Sequence, residues 1–205
     1  MEVTEQAQNA AEPEGLHLVQ NRADDARMVL DARASRDAFG TLYLAYVDPI
    51  YRFCYRRTGN PEQAADLTSQ IFIKVMTNLN SCDPWKFRPW LFTIARHVLI
   101  DSQRGRSADL PLDTASLVES HEPSPEHAAL AAEQRHTVLG LLGALTPDQR
   151  QVVELRLAGL NGNEIAEVLG RSRASVDTAQ SRALARLKKV IASDAAFGSN
   201  WGEAR

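Results

Sequence analysis

The segment from Gly162 to Leu187 has the residue types and spacing to hold a row of polar and cationic side chains against a nucleic acid. Ile165, Ala166 and Leu169 form the inner face of one short helix, Gly170 can take the left-handed turn, and Ser172 caps the next helix. Val176, Ala179 and Ala183 give that second helix its inward face. Arg173, Ala174, Asp177, Thr178, Ser181 and Arg182 are left pointing outward, with Arg171 and Ser172 just ahead of them. This is the spacing of a helix-turn-helix, whose second helix lies in the major groove. There a guanidinium reaches phosphates or a guanine edge, and a hydroxyl reaches either. The plainer alternative is an ordinary helical hairpin.

Charge is divided along the chain in a way that fits such a role. The net charge is only −3, yet residues 39–104 hold eight basic against five acidic side chains, and residues 127–192 nine against six. Residues 1–38 have four arginines against eight acids, residues 105–126 one arginine against five acids, and residues 193–205 a net of −1. Two mildly basic segments alternate with three acidic ones, a pattern of polyanion-binding units joined by a tether. Scattered solvated charge gives the same numbers. Aromatic residues are divided too: eleven of the thirteen fall between residues 39 and 92. An aromatic-rich half therefore precedes one built from Leu, Val, Ile and Ala, and two domains are expected.

Catalytic chemistry lacks its residues. There is no HExxH, no phosphate-binding GxxxxGKS/T and no GxGxxG. Glu133-x-x-His136 has the spacing of a helical di-iron pair, but the second copy and further glutamates are missing. His17, His97, His121 and His127 have no mutual ligand spacing, and Cys54 and Cys82 form no CxxC, which fits a reducing compartment. We expect no catalytic residue, no metal and no cofactor. No run nears the roughly 18 apolar residues of a membrane-spanning helix. The opening MEVTEQAQ lacks the basic and apolar regions of a secretory leader, so a cytoplasmic chain without membrane insertion is expected.

The elements that must position these residues all have helical period. Residues 39–57 place Phe39, Leu42, Tyr43, Tyr46, Val47 and Ile50 three and four apart, with Pro49 expected to kink the helix or start a new turn. Asn60-Pro61 starts a second helix, striped by Ala64, Leu67, Thr68, Ile71, Phe72, Val75, Met76 and Leu79. A third runs from about Pro89 to Arg104 and buries Trp90, Leu91, Ile94, Ala95, Val98 and Leu99. Past a Pro-, Ser- and acid-rich stretch, a helix carries Leu130, Val138, Leu141 and Leu142. Thr146-Pro147-Asp148-Gln149 then opens a helix with a capping box, holding Val152, Val153, Leu155 and Leu157. The fold class expected is all-α, two small helical domains joined by an acidic flexible linker. Its boundaries are an N-terminal extension 1–38, a first domain 39–104, a linker 105–126, a second domain 127–192 and a tail 193–205.

Two stretches carry a family resemblance. FGTLYLAYVDPIYRFCYRRTGNPEQAADLTSQIFIKV followed by FRPWLFTIARHVLIDSQR resembles domain two of the extracytoplasmic-function (ECF) bacterial sigma factors. LGALTPDQRQVVELRLAGLNGNEIAEVLGRSRASVDTAQSRALARLKK resembles domain four of the same group, in the right order and with a linker between. A DNA-binding output domain of response-regulator type is the rival, but it would need an α/β receiver in front, and residues 1–104 show no buried parallel strands.

The resemblance implies a subunit that directs core RNA polymerase to promoters, touching the clamp and flap of its large subunits, with an anti-sigma factor as a further partner. Asp66, Leu67, Gln70 and Phe72 fall on the helix that docks on the clamp in the family, where Gln-Glu is usual at the positions of Ser69-Gln70 here. The loop Asn80–Phe87 and the helix after it resemble the minus-ten reader. Trp85 and Phe87 would then supply stacking surfaces for unpaired bases, and Arg88, Arg96 and Arg104 the cations that follow phosphates. His97 stands where Asn is common. In the recognition helix, many relatives have Lys, Arg and Leu at the places of Asp177, Ala179 and Gln180, so the resemblance implies two phosphate-pairing cations lost, one acid gained and an unusual or weak minus-thirty-five recognition. Asp177 is open to two readings, acceptor for a cytosine amino group or a solvated side chain. Residues 105–126 match the family's linker, which passes through the polymerase channel that later holds RNA.

Overall fold

The computed structural model describes residues 22–106, 135 and 137–199, and every regular element among them is helical. Four helices build the N-terminal bundle: α1 (Arg22–Ala34), α2 (Arg36–Thr58), α3 (Pro61–Asn78) and α4 (Phe87–Arg106). Two 3-10 turns, Leu79–Ser81 and Pro84–Lys86, join α3 to α4. A helix over 137–143 (α5) is followed by α6 (Pro147–Leu157), α7 (Gly162–Leu169) and α8 (Arg173–Ser199).

Local chemistry sets the boundaries. Ser35 accepts from the Asp37 amide to open α2, and Gly59, at φ 68°, closes it with its amide on the Tyr55 carbonyl. Asn60 accepts from Gln63 N at 2.9 Å to open α3, with Pro61 in the first turn. Thr146 and Gln149 close their capping box at 3.3 and 3.2 Å, and Asn161 with Glu164 forms a second one that opens α7. Gly170 turns at φ 62°, and Ser172 Oγ accepts from Ser175 N, so the helix-turn-helix forms in the expected register.

Four expectations change. Residues 22–34, within the expected extension, are α1, which packs across α2 with Val29 fully buried. Pro49 does not break α2, which runs unbroken to Thr58 because the ring sits buried inside the bundle at the cost of one backbone donor. Met76, Val138 and Leu157, expected inward, are exposed. α8 continues into the expected tail as far as Ser199. The linker beyond Arg106, Leu130, the Glu133/His136 pair and Trp201 lie outside the described residues.

The two halves share one apolar cluster. Val152, Leu155, Ile165 and Val168 join the same core as Leu42, Ile50, Phe53, Leu91 and Phe92. The seam is also polar. Glu154 is 1% exposed and pairs with Arg57 at 3.2 Å and Arg150 at 2.7 Å. Arg56 and Arg150 cross the seam to backbone carbonyls, of Glu154 and Arg56 respectively. Burial raises the Glu154 carboxyl above its usual range against the pull of Arg57 and Arg150, and it lowers Arg56 to about 10.

Candidate nucleic-acid interface

The residues expected to open DNA separate into two groups. Trp85 is 63% exposed, at the crest of the second 3-10 turn, where its amide is held by Asp83 Oδ1 at 3.0 Å. Phe87, expected beside it as a stacking surface, is instead 1% exposed. Its ring meets Tyr46 edge-on at 5.1 Å and lies 6.1 Å from Trp90, so it is a core residue. The hydroxyl of that Tyr46 donates to the buried Asp25 on α1. Burial raises the pKa of both groups.

Among the cations, Arg104 is exposed, and so is His97 about two turns before it on α4. Arg88 is 8% exposed and donates to the Gly159 carbonyl at 2.7 Å, across the seam. Arg96 faces the same seam, in a small pocket shared with Phe53, Arg57, Glu154 and Leu169. While the domains are docked, Arg88 and Arg96 are thus turned toward the second domain and not toward solvent.

On α3 the expected docking residues also divide by depth. Asp66 and Gln70 are exposed, four apart on one face, and Ile73 at 58% exposure continues it. Leu67 and Phe72 are buried at 3% and 5%, and Phe72 meets Tyr43 edge-on at 4.7 Å. Their place is to hold the helix, while Asp66 and Gln70 present its surface.

On α8 the outward face is as expected for Ala174, Thr178, Ser181 and Arg182, all exposed. Ser172 is exposed as well, but the two arginines at the start of the helix are engaged within the chain. Arg171 pairs with Asp148 and donates to Ser175 Oγ at 2.7 Å. Arg173 pairs with Asp177 at 2.9 Å, and its guanidinium lies on Gly162, where it would collide with a Cβ. Asp177 therefore answers Arg173 one turn back. Gln180 is half-buried and accepts from Arg156 at 2.8 Å, tying α6 to α8. Exposed Arg186 and Lys189 extend the row begun by Arg182 at spacings of four and three, a basic stripe readable from the sequence that its motif alone does not mark.

Ala179 is 5% exposed and belongs to the inward face, so it is not a vacated phosphate contact. We expect Ala179→Arg to destabilise the second domain, since overpacking alone costs about 1–3 kcal/mol and a buried charge adds to it. Asp177→Lys, at the surface, should keep the fold, release Arg173 and steepen the salt dependence of DNA binding by a slope of about 0.9 per phosphate gained. Fluorescence anisotropy at several salt concentrations and a thermal melt check both. A double variant as stable as the parent would place Ala179 on the outside.

Comparison with known proteins agrees with this geometry. Residues 42–108 match the family model for sigma-70 region 2, and residues 135–187 that for sigma-70 region 4. The chain is 34% identical over 182 residues to the ECF RNA polymerase sigma factor BldN of Streptomyces coelicolor, covering 84% of this chain and 69% of that one. It is 30% identical over 171 residues to the ECF sigma factor SigW of Bacillus subtilis, covering 78% and 91%. The solved structure of CnrH in complex with the cytosolic domain of CnrY aligns with a TM-score of 0.64 at 26% identity, covering 83% of this chain and 98% of that one. The chain belongs to the ECF RNA polymerase sigma factors, a transcription-initiation family and not a class of enzymes. The receiver-type alternative finds no support, because residues 22–106 are helices and short turns without a strand.

Among the described residues, no cluster of three or more His, Cys, Asp or Glu could hold a metal, and no helix is long and apolar enough to cross a membrane. Cys54 and Cys82 are buried thiols, each raised to about 11 by burial.

Proposed function

We propose that the chain brings core RNA polymerase to promoters in the cytoplasm, without catalysis of its own, through three surfaces. Asp66 and Gln70 on α3 contact the polymerase clamp, and the second domain contacts the flap. The Trp85 turn, with His97 and Arg104 on α4, meets the minus-ten element, Trp85 stacking on an unpaired base. The exposed face of α8, from Ser172 through Thr178 to Arg182, meets the minus-thirty-five element, Arg171 and Arg173 joining it when their intramolecular pairs are exchanged for phosphates.

The observation that carries this reading is the contrast at the end of the first bundle. Trp85 stands 63% exposed while Phe87, two residues on, is 1% exposed, and a large exposed aromatic on a capped turn can serve as a stacking platform. A protein partner, of anti-sigma type on this reading, completes it; the similar CnrH is in complex with the cytosolic domain of CnrY. Run-off transcription with core polymerase on a promoter library tests it. Transcripts that depend on the chain and start downstream of a shared pair of elements are expected; a chain that binds the library without supporting any transcript would sink the reading.

A further inference from the structure

Arg33 stands in the last turn of α1, outside both stretches that resemble the family in sequence. Its Nε and Nη2 donate to the Leu79 carbonyl at 3.2 and 3.0 Å, and Nη2 also donates to the Cys82 carbonyl. These two acceptors are not equivalent. Leu79 caps α3 and starts the first 3-10 turn, whereas Cys82, at φ −73° and ψ 137°, is the first of two extended residues between the turns. One guanidinium therefore fixes the angle at which the second turn leaves α3. That second turn is short: Asp83 caps it, Lys86 N returns to the Asp83 carbonyl at 2.9 Å, and Lys86 Nζ pairs with Glu167 on α7 at 3.5 Å. Trp85 rides on it, too exposed for packing to fix its place. Its position follows the backbone beneath it, which Arg33 ties to α1 through the Leu79 and Cys82 carbonyls.

We propose that Arg33 is a positioning residue for promoter opening, holding the turn that presents Trp85; this rests on the reading of Trp85 as the stacking side chain. A planar fork can span two carbonyls where an ammonium supplies a point charge, so lysine is an incomplete substitute. The residue is separable from the fold of α1, which is held by buried Val29, Ala26 and Ala32.

The test uses the full chain with core polymerase and compares Arg33→Met, Arg33→Lys and Trp85→Ala. Arg33→Met should bind core polymerase and closed promoter within about twofold of the parent, and should open DNA about tenfold more slowly by permanganate footprinting, the scale of one lost stacked base. Arg33→Lys should recover part of that rate. In a Trp90→Phe, Trp201→Phe background, acrylamide quenching of Trp85 should change with Arg33→Met. Equal losses of binding and opening with a lower melting temperature would make Arg33 a merely structural residue and overturn the proposal, as would an unchanged opening rate. Should Trp85→Ala open DNA normally, the stacking reading fails. Quenching altered by Arg33→Met would then assign the failure to that reading, while unaltered quenching would show that Arg33 does not set the turn.

Discussion

Asp66→Arg should lose core polymerase by about 2–5 kcal/mol, the cost of reversing one side of a buried charge pair at an interface. The side chain is exposed on α3 between the inward Ala64 and Leu67, so the exchange leaves the helix stripe intact. A thermal melt indistinguishable from the parent, with binding lost in a pull-down, is the expected pair of results. The expectation draws on the whole exposed row of Asp66, Gln70 and Ile73, which offers one charge, one amide and one apolar group to a partner. Undiminished binding would put the docking face on another side of the bundle.

Phe87→Ala should be equally severe for a different reason. Its ring is 1% exposed, between Tyr46 and Trp90, and emptying such a site costs about 3–5 kcal/mol. Against a total stability of about 5–15 kcal/mol for a domain, that is a large share. We expect a marked fall in the urea midpoint and parallel losses of polymerase binding and strand opening. Trp85→Ala, two residues away, should leave the midpoint unchanged and affect opening alone. A Phe87→Ala chain that melts like the parent would return Phe87 to the surface.

This pair shows where the sequence stops being informative. Two aromatics in one loop are equivalent by type, and only the turn between them sends one outward and the other into the core. Helical periodicity placed α3, α4 and the helix-turn-helix well, because one amphipathic face and strong caps coincide there. It passed over α1, whose buried face is one acid, two alanines and a single valine: Asp25, Ala26, Val29 and Ala32. Inward Ala179 was legible from its spacing with Val176 and Ala183, and comparison with relatives at a single position pointed the other way. The partners of Arg57, Arg88 and Arg171 were not legible at all. Each depends on a carbonyl or carboxylate brought near by tertiary packing, and surface and seam arginines look alike in a list of residues.

The docked domains also bear on how freely this chain can exchange parts. Glu154 lies among Arg57 of the first domain and Arg150 of its own helix, and Gly159 offers its carbonyl to Arg88. A second domain grafted from a relative to alter promoter choice would bring whatever that relative carries at these two places. With an apolar residue opposite Arg57, the graft strands a cation in the seam, and the hybrid loses cohesion before its recognition helix meets any DNA. If α8 carries promoter specificity as proposed, that specificity is not a detachable module. To be portable, the recognition helix must travel with the last turn of α2 and the first turn of α4.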